Sequence, residues 1–239
     1  MSIKSNDKIY VIIPAFNEEP VISQVIKSVQ QEGFENIIVV NDGSFDNTST
    51  VAKETGCIVL DHLVNRGKGA ATQTGMDAAK LLDADYAVTL DADGQHNPAD
   101  IHEILKPLLS KEVDVSLGSR FLSKQPIPFS RVFANKVGNL ITFLFYGIHV
   151  SDSQSGFRGY NTKALKTIYT TFDRYEFESE IIHQINIHQL KYKEVPITVS
   201  YSNYSQNKWK NINKGTQVSQ TFLNGFNMLF RMIIRSITT

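Results

Sequence analysis

Short apolar runs alternate with amphipathic stretches through the first half of the chain, the pattern of βαβ units around a mostly parallel sheet. IYVII (9–13), NIIVV (36–40), CIVL (57–60), YAVTL (86–90) and VDVSL (113–117) are too short for buried helices and predict strands covered on both faces. Helices are expected between them, at 20–31, 46–55, 67–82 and 98–110. The last has a marked start at Asn97-Pro98, a capping residue followed by proline at the first helical position. The second half is less regular. It predicts a helix over 131–147, a turn-rich segment SDSQSGFRGY (151–160), a helix over 177–190, a strand EVPITVSY (194–201), a polar loop and a final helix. No repeat or linker divides the chain, so one α/β domain over 1–208 with a basic, amphipathic extension over 209–239 is expected.

In open α/β sheets ligands bind beyond the carboxyl ends of the strands, which makes the residues after each run the first place to seek chemistry. They are polar: Pro14-Ala15-Phe16-Asn17-Glu18, Asn41-Asp42-Gly43-Ser44, Asp91-Ala92-Asp93-Gly94-Gln95 and Gly118-Ser119-Arg120. Asp91 and Asp93 in DADGQH are two carboxylates one residue apart. With Gln95 they form half a shell for a hard cation, Mg²⁺ or Mn²⁺, which takes oxygen ligands and leaves the rest to water and substrate phosphate. Asp42 is placed to accept from a nucleobase N–H or a ribose hydroxyl, though Asp-Gly is also an ordinary turn pair. Phe16, Asn17 and Glu18 are placed to complete a nucleoside pocket. NRGKGAA (65–71) opens a helix with two glycines around Lys68, an arrangement that frees backbone N–H groups and a cation for phosphate. It is not a Walker loop, since position 62 is His and no Ser or Thr follows Lys68, and no GxGxxG follows the first strand.

At 239 residues, 41% hydrophobic and 20% charged, the chain is of globular composition. Its single cysteine, Cys57, excludes an intramolecular disulfide and reads as a buried strand residue. The opening MSIKSNDKIYVII lacks the apolar stretch of a secretory signal, and no run approaches about 18 apolar residues, so a cytosolic start without a membrane span is expected. The formal net charge of zero conceals an asymmetry: residues 1–118 carry 9 Lys+Arg against 18 Asp+Glu, and residues 119–239 carry 15 against 6. The first half suits a metal cation and the second suits phosphates or an anionic surface; nucleic acid is not an expected partner. The six histidines are scattered without neighbouring cysteine, so zinc is not expected. Glu176, Glu178 and Glu180 alternate before a helix and read as a capping cluster.

Taken in order, PAFNEE, NDGS, N-x-GKGAA, DADGQH, GSR, SDSQSGFR and EVPI-x-VSY resemble family 2 glycosyltransferases of the GT-A fold, in the dolichol-phosphate or polyprenyl-phosphate mannosyl- and glucosyltransferase branch. The resemblance covers residues 9 to 208. It implies a metal-dependent, inverting transfer of a hexose from GDP-mannose or UDP-glucose to a polyprenyl or dolichyl phosphate. It also implies a divalent cation on Asp91, Asp93 and Gln95, and a donor site from Pro14, Phe16, Asn17, Glu18, Asp42, Lys68 and Ala92. Arg120, Arg131 and Lys208 would meet phosphates, and Asp152, Gln154 and Arg158 would lie by the acceptor. Read without the family, Asp152 caps a turn and Arg158 pairs with a nearby carboxylate. One departure is YSNYSQNK (201–208), where Asn203 stands in place of an expected arginine.

A phosphate monoester is largely dianionic at neutral pH, so such an acceptor needs cationic positioning more than a general base. The alternatives are transfer to a glycan hydroxyl and a catalytically silent membrane-associated scaffold; a pyrophosphorylase would open with a Gly-rich loop that PAFNEE lacks. From 218 to 238, Gln220, Asn224, Asn227, Arg231, Arg235 and Thr238 line one narrow polar stripe of an otherwise apolar helix. A second stripe, Arg131, Asn135, Asn139, Thr142 and Tyr146, runs along 131–147. Both suit a peripheral position on the cytoplasmic face of a membrane, the alternative being that they pack against the protein's own core or a second subunit.

Overall fold

The computed structural model describes residues 7–123, 125, 129–173, 177–200 and 204. The five expected strands are β1 (Ile9–Ala15), β2 (Ile37–Asn41), β3 (Ile58–Asp61), β4 (Tyr86–Thr89) and β5 (Val115–Ser119). Between them lie α1 (Ile22–Gln31), α2 (Thr48–Lys53), α3 (Lys68–Leu81) and α4 (Ile101–Leu109). Then follow α5 (Phe129–Tyr146), β6 (Arg158–Asn161), α6 (Thr162–Thr167), α7 (Phe177–Ile187) and β7 (Tyr192–Pro196). The strands form one seven-stranded sheet in the order β3-β2-β1-β4-β6-β5-β7, parallel except for β6.

The apolar runs are continuous because both sheet faces are covered. Val11, Ile13, Val39 and Val88 pack with α1 and α4 on one face. Ile12, Ile38, Val40 and Ala87 pack with α3, α6 and α7 on the other. Each such valine or isoleucine side chain contributes about 1.5–3 kcal/mol when fully buried. Pro14 is tolerated in β1 because pairing with β4 has ended at Ile12↔Thr89, leaving only β2 alongside. Asn97 caps as expected, accepting from Ala99 N–H, and Pro98 opens a short 3-10 turn into α4.

Two expectations are corrected. SDSQSGFRGY is more than a turn: its last three residues begin β6, which runs antiparallel between β4 and β5, with Ala87↔Tyr160 and Leu117↔Arg158 in register. Four residues reading RGYN have no alternation to betray a strand; pairing on both sides makes them one. β7 starts at Tyr192, earlier than expected, and being outermost it carries the charges of Lys193 and Glu194. The chain beyond it crosses the DADGQH turn, where Val199 bridges His96 and Ser200 N–H donates to Gln95 O at 2.7 Å.

Helix α5 is turned with its polar stripe inward. Asn135 and Asn139 donate to Ser151 O at 2.8 and 2.7 Å, and Thr142 is buried beside Ser179. Leu140, Phe143 and Leu144 stand exposed on the helix. Arg131 falls in the first turn of α5, with its side chain outside the described residues. Lys208, the 208/209 boundary and the expected C-terminal helix also lie outside them. Among the described residues no helix is long and apolar enough to cross a membrane.

Candidate active site

The carboxyl ends of β1 and β2 are stitched together by their own turns. Asn17, in the left-handed region at φ 53°, donates its N–H to Ser44 Oγ and accepts from Phe45 N–H, both at 2.9 Å. Phe16 and Phe45 meet edge to face with centroids 6.0 Å apart, and Phe45 is 89% exposed. The exposed Phe45 ring, held by the edge of Phe16, offers a flat apolar face of the kind on which a base stacks. Glu18 is buried; its N–H donates to Thr48 Oγ1 and its Oε2 accepts from Tyr204 OH at 2.9 Å. Burial first, and the Glu18 carboxylate second, push the Tyr204 phenol well above its ordinary pKa.

Asp42 is only 2% exposed. Its Oδ1 is shared by His62 Nδ1 (2.7 Å) and Arg66 N–H (2.9 Å), and its Oδ2 accepts from Gly67 N–H (2.7 Å). Since the carboxylate can only accept, His62 Nδ1 carries a proton and donates to it, while Nε2 lies 3.0 Å from Thr74 Oγ1. Asp42 therefore shapes the loop leading to Lys68, with one lone pair of Oδ2 left for a ligand. Gly43 lets this loop approach, because a Cβ there would lie 2.5 Å from Val64 C.

In DADGQH the side chains alternate. Asp91 and Asp93 are partly exposed, while Ala92 is buried in the core with α1. Ala92 was expected at the donor; its side chain instead anchors the turn from below. Lys68 Nζ, at the first position of α3, lies 2.8 Å from Asp91 Oδ1 and 2.9 Å from Glu178 Oε1. Burial works against the Lys68 charge, but Asp91 and Glu178 outweigh it and raise the ammonium pKa. Burial would likewise raise the Asp91 carboxyl; Lys68, with His96 and Arg120, pulls it down to about 2. His96 is lowered, burial prevailing over Asp91 and Asp93, and its Nδ1 accepts from Asp91 N–H at 3.3 Å. Gln95 donates its N–H and its side-chain amide to Asp93. Gly156 closes the cluster: a Cβ there would sit 2.7 Å from Asp91 Oδ1 and 2.9 Å from Lys68 Nζ.

From the second half, Arg120 forks onto Asp152 through Nε and Nη2, both at 2.7 Å, and adds its N–H at 3.1 Å. Asp152 is thus neither a simple turn cap nor free for a ligand. Arg158 is 2% exposed and donates to three carbonyls, Ser155 O, Glu178 O and Ser153 O, at 2.8, 3.0 and 2.8 Å. It pairs with no carboxylate through these bonds and ties the loop 152–156 to α7. Gln154 is exposed, its amide 2.8 Å from where a Cβ of Gly138 would stand. The turn cluster expected at α7 is also reassigned: Glu180 accepts from Thr171 and Phe172 N–H, whereas Glu178 reaches Lys68.

The glycosyl transferase family 2 model matches residues 10–169 of the chain. The chain belongs to this family. An uncharacterised protein of Methanocaldococcus jannaschii is 42% identical over 98% of this glycosyltransferase and 94% of its own length. The UDP-N-acetylglucosamine–dolichyl-phosphate N-acetylglucosaminyltransferase of Methanococcus voltae is 39% identical, over 88% of this chain and 92% of its own. Among solved structures, glucosyl-3-phosphoglycerate synthase of Mycobacterium tuberculosis, crystallised with Mn²⁺, UDP and glucosyl-3-phosphoglycerate, superposes with a TM-score of 0.67 at 20% identity. That match covers 92% of this chain and 80% of the other, and makes the GT-A fold the observed one.

The glycosyltransferase brings Pro14, Phe16, Asn17, Glu18, Asp42, Lys68, Asp91, Asp93, Gln95, Arg120 and Asp152 to one edge of the sheet, where Ala92 and Arg158 also lie with their side chains buried. Among the described residues no three His, Cys, Asp or Glu side chains form a metal cage. The donor set nevertheless fits a hard cation that leaves positions for phosphate: two partly exposed carboxylates and an amide, in a cradle that a Cβ at residue 156 would fill. His62, Phe45 and Tyr204 also contact this edge without having been singled out in the sequence, and so does Glu178, which was expected from the sequence in a capping cluster. A separate cavity of about 730 Å³, lined by Asp114, Asn161 and Lys163, lies at the amino ends of β4 and β5, away from this edge.

Proposed function

We propose that this glycosyltransferase moves a hexose from a nucleoside diphosphate sugar to a polyprenyl or dolichyl phosphate, by a single inverting displacement that requires Mg²⁺ or Mn²⁺. The acceptor phosphate oxygen attacks the anomeric carbon, the bond from that carbon to the diphosphate breaks, and the nucleoside diphosphate leaves with the electron pair. Asp91, Asp93 and Gln95 would hold the cation, which neutralises charge developing on the leaving group. Phe16 and Phe45 stack the base, while Glu18 and the remaining lone pair of Asp42 meet its polar groups or the ribose. Arg120, Arg131 and Lys208 orient phosphates.

The observation that carries this reading is the engagement of the edge carboxylates. Asp91 and Glu178 hold Lys68, Asp93 holds Gln95 and Asp152 holds Arg120. A hydroxyl acceptor needs a base within hydrogen-bond reach of its proton, whereas an anionic phosphate needs the cations that this edge presents. The Methanococcus relative's name supports the acceptor class and places UDP-N-acetylglucosamine beside UDP-glucose and GDP-mannose as donors to be tried. Residues 1–208 form the catalytic domain in this reading. The exposed Leu140, Phe143 and Leu144, with the apolar face of 218–238, favour a peripheral seat on the cytoplasmic face of the membrane.

The test is an acceptor competition. Purified full chain, Mn²⁺ and each radiolabelled donor are offered polyprenyl phosphate or the corresponding polyprenol. Label should enter the lipid phosphate alone; equal or greater transfer to the alcohol would replace this reading by a hydroxyl-acceptor one.

A further inference from the structure

Lys68 stands in a position that its role as a phosphate ligand does not explain. Its ammonium is directed at Asp91, one of the two carboxylates offered to the cation, and is held there by a second carboxylate, Glu178. The Glu178 side chain is nearly buried and the chain at Gly156 lies directly over the pair, while Lys68 and Asp91 each keep about a quarter of their surface open. The Phe177 ring, 5.8 Å from Nζ, forms another wall of the slot.

We infer that Lys68 is a built-in counter-cation that occupies Asp91 until donor diphosphate and divalent cation arrive together, and that Glu178 is the positioning residue that keeps it within reach. This rests on the metal-dependent reading proposed above. An ammonium 2.8 Å from Asp91 Oδ1 and a dication on the same carboxylate repel at short range, so the divalent ion arriving alone must drive Lys68 away. A diphosphate changes the balance by giving the displaced ammonium new oxygens. Metal and nucleotide then strengthen each other's binding, by the same factor in both directions. Glu178, fixed at the first turn of α7, limits the excursion to a swing from one set of oxygens to the other.

The experiment titrates Mn²⁺ into the full chain, following free Mn²⁺ by electron paramagnetic resonance, without nucleotide and with UDP or GDP. In wild type the nucleotide should tighten Mn²⁺ binding on the order of tenfold. Lys68→Met should bind Mn²⁺ alone more tightly than wild type does, bind nucleotide more weakly, and lose most of the coupling. Glu178→Gln should change Mn²⁺ binding in the opposite direction, because Lys68 then answers to Asp91 alone. Damage to the fold would not strengthen metal binding, so the sign separates competition from structure; should Lys68→Met not fold, Lys68→Gln carries the same expectation. Lys68 variants that bind Mn²⁺ no better than a wild type showing nucleotide coupling would overturn this inference alone. A wild type that binds no Mn²⁺ even with nucleotide would overturn the metal-dependent reading and this inference with it.

Discussion

The strand-end edge and the loop at 151–158 both carry cations beside carboxylates or carbonyls, yet they use them in opposite ways. At the edge, Lys68 bridges Asp91 and Glu178 and remains partly open to solvent. In the loop, Arg158 is buried and gives its guanidinium to three main-chain carbonyls. Carboxylate partners can be exchanged for a metal ion or a phosphate at the same edge. The loop carbonyls of Ser153 and Ser155 cannot, because each would be left buried without a donor. Arg120 lies between these cases, forked onto a fully buried Asp152 yet itself partly exposed.

The contrast breaks first at Arg158. Arg158→Met should destabilise the fold by about 2 kcal/mol or more, since an unsatisfied buried acceptor costs roughly 1–3 kcal/mol and two are created at Ser153 O and Ser155 O, Glu178 O keeping its acceptor role inside α7. Urea unfolding measures this; a loss no larger than that of Lys68→Met would erase the distinction between tie and ligand. Asp152→Asn comes next. It keeps one acceptor oxygen for Arg120, and turnover should fall by about tenfold, roughly 1.4 kcal/mol, without vanishing. A folded, donor-binding variant with no turnover would favour a hydroxyl acceptor and a base at residue 152.

Phe45→Ala removes the exposed half of the ring pair and should weaken nucleoside diphosphate binding by about 1 kcal/mol, the order of one stacking contact. Calorimetric titration checks it, and unchanged affinity would remove Phe45 from the site. The smallest effect is expected at Asp61, which accepts from Lys53, Ser49 and Asn41. Burial would raise its pKa, but these partners, Lys53 first, lower it from 3.8 to about 2. A depressed carboxylate stabilises the fold above its ordinary pKa and loses that contribution as pH falls through about 2. The side chain is 40% exposed, so screening leaves under about 1 kcal/mol. Asp61→Asn should therefore be slightly less stable than wild type at neutral pH and equal to it near pH 2; a gap that widens on acidification would contradict the assignment.

What was legible in the sequence follows the same divide. Four of the five parallel strands, β1, β2, β4 and β5, announced themselves because burial on both faces demands unbroken apolar runs, whereas β3, at the sheet edge, has an apolar run although Ile58 is 41% exposed. Asp91 and Asp93 were legible as a pair of carboxylates after an apolar run; that the Ala92 side chain between them turns into the core was not, because these residues form a turn beyond the end of β4. The burial of Arg158 was not legible because β6 was not visible as a strand, and without the strand nothing said that residue 158 faces inward. Glu178 read as a helix cap because its partner Lys68 is 110 residues away. Tyr204 and Glu18 are similarly joined only by the tertiary fold.

The central claim is tested most directly by sugar transfer to polyprenyl phosphate, comparing wild type with Asp93→Asn, both verified as folded by circular dichroism. Wild type should form lipid-linked sugar with Mn²⁺ or Mg²⁺ and none in excess chelator. Asp93→Asn should form essentially none in either, having lost several kcal/mol of transition-state stabilisation, a loss on the order of that expected when a metal-held leaving group is released from its ligand. Full activity of Asp93→Asn, or of wild type in chelator, would contradict the account.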